Sequence, residues 1–192
     1  MFLLRRPTDQ QVARFIERQG RESFSYAEVG ATSTTPPEGH TVDHNSVVLG
    51  FGRVVFERAV AALRRWAMFD VDGVRLCLPN APITAGTTVA VLAQVGLVWS
   101  LNACRIIAVD EGERHFGFAY GTLPAHAVRG EERFLVEWRR STDEVVYDLL
   151  AFSRPTSLVL AAARPLLRRE QRRFAAGSKA AMLRAIRDDA ST

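Results

Sequence analysis

The sequence predicts an α+β domain in which a curved antiparallel sheet is covered on its concave face by a long C-terminal helix. Three observations carry this. Beyond Asp70 the hydrophobic period changes to two and stays there through six consecutive segments. Those segments are joined by short turns such as Asp110-Glu-Gly112 and Ser141-Thr-Asp143, which suit antiparallel neighbours and not βαβ crossovers. Past Arg154 the pattern becomes helical again.

Each element has its own signal. Thr8-Asp-Gln-Gln11 has capping-box spacing, and Val12, Phe15 and Ile16 recur at helical intervals. A short helix therefore spans about Asp9 to Arg18 and stops at Gly20. "FSYAEVGAT" reads as a strand and "TSTTPPEGH" as a loop, because two prolines cannot join a ladder. "HTVDHNSVVLG" is extended. After Gly50-Phe-Gly52 a helix puts Phe56, Val60, Leu63 and Ala67 on one stripe, with Glu57, Arg58, Arg64 and Arg65 outward. The β segments are "VRLCLP", "TTVAVLAQV", "VWSLNACRIIAVDE", "RHFGFAYGTL", "ERFLVEW" and "EVVYDLLAFS". "RPTSLVLAAARPLLRREQRRFAAGSKAAMLRAIRDD" is helical and interrupted at Pro165, which has no amide donor. Its long second half sets Leu167, Phe174, Ala181 and Met182 along one side. The chain reads as a single domain over 1–192, with a helical extension (1–20) and a core over 24–187.

Bulk properties exclude several classes. The 192 residues are 47% hydrophobic and 24% charged, an ordinary globular composition with material for one core. The apolar region Val89–Leu101 is interrupted by Gln94 and Ser100 and falls short of the ~20 residues a spanning helix needs. "MFLLRRPTDQQ" leaves no room for a signal-peptide core. Cys77 and Cys104 are too few and too separated for a disulfide framework. The expectation is a soluble, cytoplasmic protein, and a homodimer is compatible with it. The net charge of +4 is uneven: Arg164–Arg187 carries eight basic residues and one acid, so the remainder sums to −3. This excess on one helix reads as a solvated face, not as a surface tracking the phosphates of a nucleic acid.

No metal is expected. His40 and His44 flank Asp43, yet Thr41-Val42 is β-prone and no third ligand lies near in sequence. Gly50-Phe-Gly52 lacks the third glycine of a dinucleotide fingerprint, which is Val55 here, and the strands lack βαβ spacing. No Gly-x-Ser-x-Gly elbow occurs.

Four stretches, "FSYAEVGAT", "LGFGRVVFERAVAALRRW", "GTLPAHAVRGEERFLVEW" and "AFSRP", resemble a bacterial and plant family of unknown function. More broadly, the element order resembles the START-like superfamily, whose helix-grip fold includes polyketide cyclases, Bet v 1-like proteins and lipid-transfer domains. The resemblance covers about Phe24 to Met182. It implies a deep, mainly apolar cavity between sheet and long helix, lined by a few polar groups, and it transfers no catalytic residue.

Within such a fold, strand phase nominates the site. Glu132 shares its face with Phe134, Val136 and Trp138, whereas Glu131, Arg133, Glu137 and Arg139 occupy the solvated face. Phe116, Phe118 and Tyr120 share another face. Arg105 is in phase with Trp99, Leu101, Ile107 and Val109. Asp148 is in phase with Phe152 and opposite to Tyr147. A carboxylate among apolar side chains must be paired or hold its proton, so Glu132 is the expected acid. Tyr120 and His126 would assist it, and Arg105 or Asp148 would set its charge state. Trp99, Phe116, Phe118, Phe134, Val136, Trp138, Phe152 and Met182 would line the ligand site. The expected function is a cofactor-independent cyclase for a hydrophobic, oxygenated, polyketide-like molecule, closing a ring by aldol, ketal or spiroketal chemistry. The alternative is a non-catalytic carrier of an apolar ligand. "GTLPAHAVRG" is either a lid or a rigid turn.

Overall fold

A computed structural model describes residues 1–188. In chain order the elements are β1 (Phe2–Leu3), α1 (Asp9–Gln19), β2 (Thr41–Phe51), α2 (Gly52–Arg64), β3 (Val74–Leu76), β4 (Thr88–Val95), β5 (Val98–Gly112), β6 (His115–Thr122), β7 (Val128–Trp138), β8 (Glu144–Pro155), α3 (Leu158–Ala162) and α4 (Arg164–Asp188). Short 3-10 turns lie at Ala31–Ser33 and Ala67–Phe69. The strands form one antiparallel sheet in the order β2-β8-β7-β6-β5-β4-β3, and β1 pairs with β5. This is the α+β, helix-grip arrangement, with α4 across the concave face.

Two apolar layers hold it. On the concave side Phe116, Phe118, Phe134, Val136, Val145 and Tyr147 pack against α2, Trp66, Phe69 and Met182 of α4. Rings run in contact from Trp66 to Phe118 (centroids 5.0 Å), Phe134 (5.2 Å) and Tyr120 (5.3 Å). Each large apolar side chain buried here contributes about 1.5–3 kcal/mol relative to exposure. On the convex side Val12 and Phe15 of α1 cover Ala90, Leu92, Leu101, Ala103 and Leu123. The capping box of α1 forms: Thr8 Oγ1 accepts from the Gln11 amide (3.3 Å) and Gln11 Oε1 accepts from the Thr8 amide (2.9 Å).

Three boundaries differ from the sequence reading. "FSYAEVGAT" makes no strand; it runs as bends and turns over the convex face, where Tyr26 packs edge-on against Phe152 (5.7 Å). β8 continues through Arg154 to Pro155, and the following helix starts only at Leu158, with Ser157 Oγ capping the Leu160 amide. The break between α3 and α4 falls at Ala163, which leaves Pro165 in the first turn of α4, where a missing amide costs nothing.

Candidate functional site

The aromatic packing fills only one end of the concave face. Toward the other end, α4 stands off the sheet over a cavity of about 780 Å³. Its walls include Phe69, Val91, Tyr120, His126, Glu132, Leu149 and the α4 residues Leu167, Gln171 and Phe174. The room beside Glu132 follows from its neighbours in the sheet. Across β8 it faces Ala151, and two residues before it on its own strand stands Gly130. Gly130 has φ +151°, and a Cβ there would run into the Phe152 carbonyl, so only glycine allows β7 and β8 to close at this point.

Glu132 is the central group. It pairs directly with Tyr120 on β6, whose hydroxyl donates to Oε2 at 2.7 Å. Oε1 carries no hydrogen bond among the described residues. The residue keeps some exposed surface, but that surface faces the cavity, with protein on the remaining sides. Burial pushes its pKa up to about 7; the Tyr120 hydrogen bond works against this and the Asp43 carboxylate adds to it. Tyr120 is held well above its ordinary value, first by burial and then by Glu132, so it remains a donor. Cys104, buried beside them, is raised by the same two causes.

His126 also lines the cavity. Its Nδ1 accepts the Val128 amide at 3.1 Å, which assigns the proton of the neutral ring to Nε2. Burial lowers its pKa to about 4, helped by the amino-terminal ammonium, so the ring is neutral near pH 7. No hydrogen bond joins His126 to Glu132 among the described residues. The turn that carries it is tied down: Gln19 Oε1 takes the Ala125 amide at 2.9 Å, Asn102 Oδ1 takes the Ala127 amide at 3.2 Å, and the His126 amide reaches the Leu123 carbonyl at 2.9 Å. Residues 123–127 are a fastened turn and not a lid.

Several other polar groups of the wall are paired with one another. Arg168 of α4 grips Asp43 of β2 with both guanidinium nitrogens, Nη2 to Oδ1 at 2.7 Å. Gln171 donates to Ser153 Oγ at 2.9 Å, and Asn102 holds Ser100 at 3.0 Å. Strand phase alone could have proposed Asp43, which alternates with Asn45, Val47 and Leu49. The partners on α4 had no such signal.

Other nominated residues lie elsewhere. Arg105 points to the convex side, where Nη2 donates to the carbonyls of Gly20 (2.7 Å) and Glu22 (2.8 Å) beneath the Phe24 ring. Arg105 keeps the phase of Trp99 and Leu101, whose face α1 covers, and a bulge between Ile106 and Ala108 then returns Val109 to the interior. Asp148 is also on the convex face, between His44 (2.5 Å) and Arg133 (2.9 Å), because Tyr147 takes the inner face and bonds Ser178 at 2.8 Å. Phe152 touches the cavity but turns its ring outward onto Tyr26 and His40. Trp99 sits outside under Arg6. Phe116, Phe118, Phe134, Val136 and Met182 are solid core. Trp138 stacks on Phe56 and donates to Asp143 at 2.7 Å, clear of the cavity.

Glu131 is a further correction. Expected in solvent, it is buried on the convex face, where Oε2 accepts from the Tyr26 hydroxyl (2.8 Å) and the Gly30 amide (2.7 Å). Oε1 accepts from the Thr32 amide (3.0 Å) and hydroxyl. The segment read as a strand instead wraps this carboxylate.

The profile of the family described as "Domain of unknown function (DUF1990)" matches residues 25–181. The chain belongs to this family. A UPF0548 protein from Dictyostelium discoideum is 35% identical over 208 residues, covering 97% of this chain and 96% of its own. Another from Deinococcus radiodurans is 40% identical over 190 residues, covering 91% and 93%. Among solved structures, the Zhui aromatase/cyclase from Streptomyces sp. R1128 superposes with a TM-score of 0.54 at 14% identity, over 77% of this chain and 94% of that one. A hypothetical protein from Helicobacter pylori gives 0.52 at 12% identity, over 82% and 95%. These likenesses establish the START-like fold for the DUF1990 chain. No helix among the described residues is long and apolar enough to cross a membrane.

Proposed function

We propose that this protein is a cofactor-independent cyclase for a hydrophobic, oxygenated small molecule, with Glu132 as its general acid and base. The observation that carries the reading is a carboxyl whose pKa is about 7, aimed into a cavity of about 780 Å³ and anchored through one oxygen by Tyr120. A group poised near neutrality both gives and takes a proton at working pH. The volume suits a ligand of drug size or somewhat larger.

In this mechanism the apolar walls fold the substrate so that a hydroxyl approaches a carbonyl carbon. That offsets the entropy of ring closure. Glu132 gives its proton to the carbonyl oxygen as the new C–O bond forms. The attacking hydroxyl then returns a proton to the carboxylate, which Tyr120 stabilises meanwhile. Proton count is conserved and no redox partner enters. Neutral His126 offers Nε2–H as a donor to a substrate oxygen. An aldol closure uses the same shuttle, with the proton taken from carbon.

One observation favours carriage instead. Asp43, Ser153, Ser100 and Asn102 are already hydrogen bonded within the wall, as a passive apolar container would have them. Native mass spectrometry of compounds that co-purify, followed by turnover assays on them, separates the readings. Glu132→Gln should lower turnover of the identified substrate by at least about 10²-fold. Unchanged turnover removes Glu132 from the chemistry. A ligand bound equally by both forms and converted by neither establishes carriage.

A further inference from the structure

The opening of the cavity combines two features that the proposed chemistry does not use. Exposed apolar side chains scattered singly over a surface are ordinary. Here five gather around one aperture. Phe2 and Leu166 line the cavity and are about half exposed, at 49% and 46%. Leu97, at the tip of the β4–β5 turn between the lining residues Val95 and Val98, is 95% exposed. Leu158 and Val159, which lead directly into the lining residue Leu160, are 90% and 78% exposed.

Beside them the first turns of α4 carry Arg164, Arg168, Arg169, Arg172 and Arg173 against a single acid, Glu170. Arg168 is neutralised by Asp43 and Arg173 by Glu170. Arg169 and Arg172 make no ion pair among the described residues.

We infer that this end of the molecule docks on the surface of an anionic lipid bilayer, with the cavity mouth facing the lipid. Apolar tips beside surplus arginines are what interfacial docking requires. The tips enter the acyl boundary and the guanidinium groups meet lipid phosphates. An acidic protein would satisfy the arginines and leave Leu97, Leu158 and Val159 in water, whereas a bilayer covers both. Docked this way, an apolar ligand passes between membrane and cavity without crossing bulk solvent.

The test is co-sedimentation of the full chain with vesicles of phosphatidylcholine alone and of phosphatidylcholine mixed with phosphatidylglycerol. Binding is expected to the mixed vesicles and to weaken as salt is raised. Replacing Leu158 and Val159 by Ser should weaken it at least about tenfold. Arg169→Gln and Arg172→Gln should each cost about fivefold. Phe51→Ser, at the far end of β2, roughly 30 Å from Val42 by strand rise, should change nothing. All are surface substitutions, and circular dichroism confirms that each variant is folded. Binding to neither vesicle, or equal binding to both, overturns the inference. So does binding that needs the arginines yet ignores Leu158 and Val159, which points to a purely electrostatic attachment to the headgroups and not to a mouth docked in the bilayer.

Discussion

The proton affinities of Glu132 and His126 make a prediction that requires no ligand. Glu132 moves from an ordinary 4.5 to about 7 on folding. Between these values the folded chain keeps a proton that the unfolded chain has lost, so stability falls as pH rises through the interval. At about 1.4 kcal/mol per pH unit, the loss is ~3 kcal/mol. His126 moves the other way, from 6.5 to about 4. There the unfolded chain holds the extra proton, so stability rises with pH across that window, again by ~3 kcal/mol. The two windows overlap and the slopes oppose each other. In the wild type they nearly cancel. Glu132→Gln should expose the histidine slope: urea-unfolding free energies of variant and wild type coincide near pH 4 and diverge until the variant is up to ~3 kcal/mol more stable at pH 8. Taking the difference between the two proteins cancels every other titrating group. Parallel profiles from pH 4 to 8 would refute the buried placement of the carboxyl.

Two further substitutions probe the scaffold. Glu131→Ala removes the acceptor for the Tyr26 hydroxyl and for the Gly30 and Thr32 amides, so it should cost about 3 kcal/mol in chemical denaturation and raise hydrogen exchange over residues 26–34. Gly130→Ala places a methyl group against the Phe152 carbonyl at a left-handed φ. It should destabilise by several kcal/mol or abolish soluble expression, whereas Ala127→Gly in the adjoining turn should cost under about 1 kcal/mol.

The architecture was legible because its signals are periodic. Alternation marked β4 to β8, and the helical stripe of Phe56 and Leu63 marked α2. Glu132 was legible for the same reason, since it stands in step with Phe134 and Val136. The side of the sheet on which a face lies is not a periodic property. In β8 both faces are apolar, because α4 covers one and residues 24–40 cover the other. Val146, Leu150 and Phe152 therefore gave no hint that Asp148 lies outside and Tyr147 inside. In β5 one bulged residue inverted the phase beyond Ile106, so Val109 points inward while Arg105 stays with Leu101 on the convex side. Glu131 was misread because a carboxylate wrapped by backbone amides has the same sequence signature as one in water. The extent of the cavity was hidden too, since it depends on where α4 stands off the sheet. Ring-to-ring packing at the opposite end claimed most of the aromatics that strand phase had offered as ligand contacts.

Glu131 and Glu132 are consecutive, and the pleat sends them to opposite sides of the sheet. The outer one is pinned by four donors, so the single peptide unit between them is clamped from behind. That gives the inner carboxyl a rigid mounting on a regular strand, in contrast to groups borne on mobile loops. It also ties the fate of one side to the other. Damage to the exterior wrapping at Tyr26 or Thr32 would be felt inside as a loosened aim of the acid, at a distance of one residue.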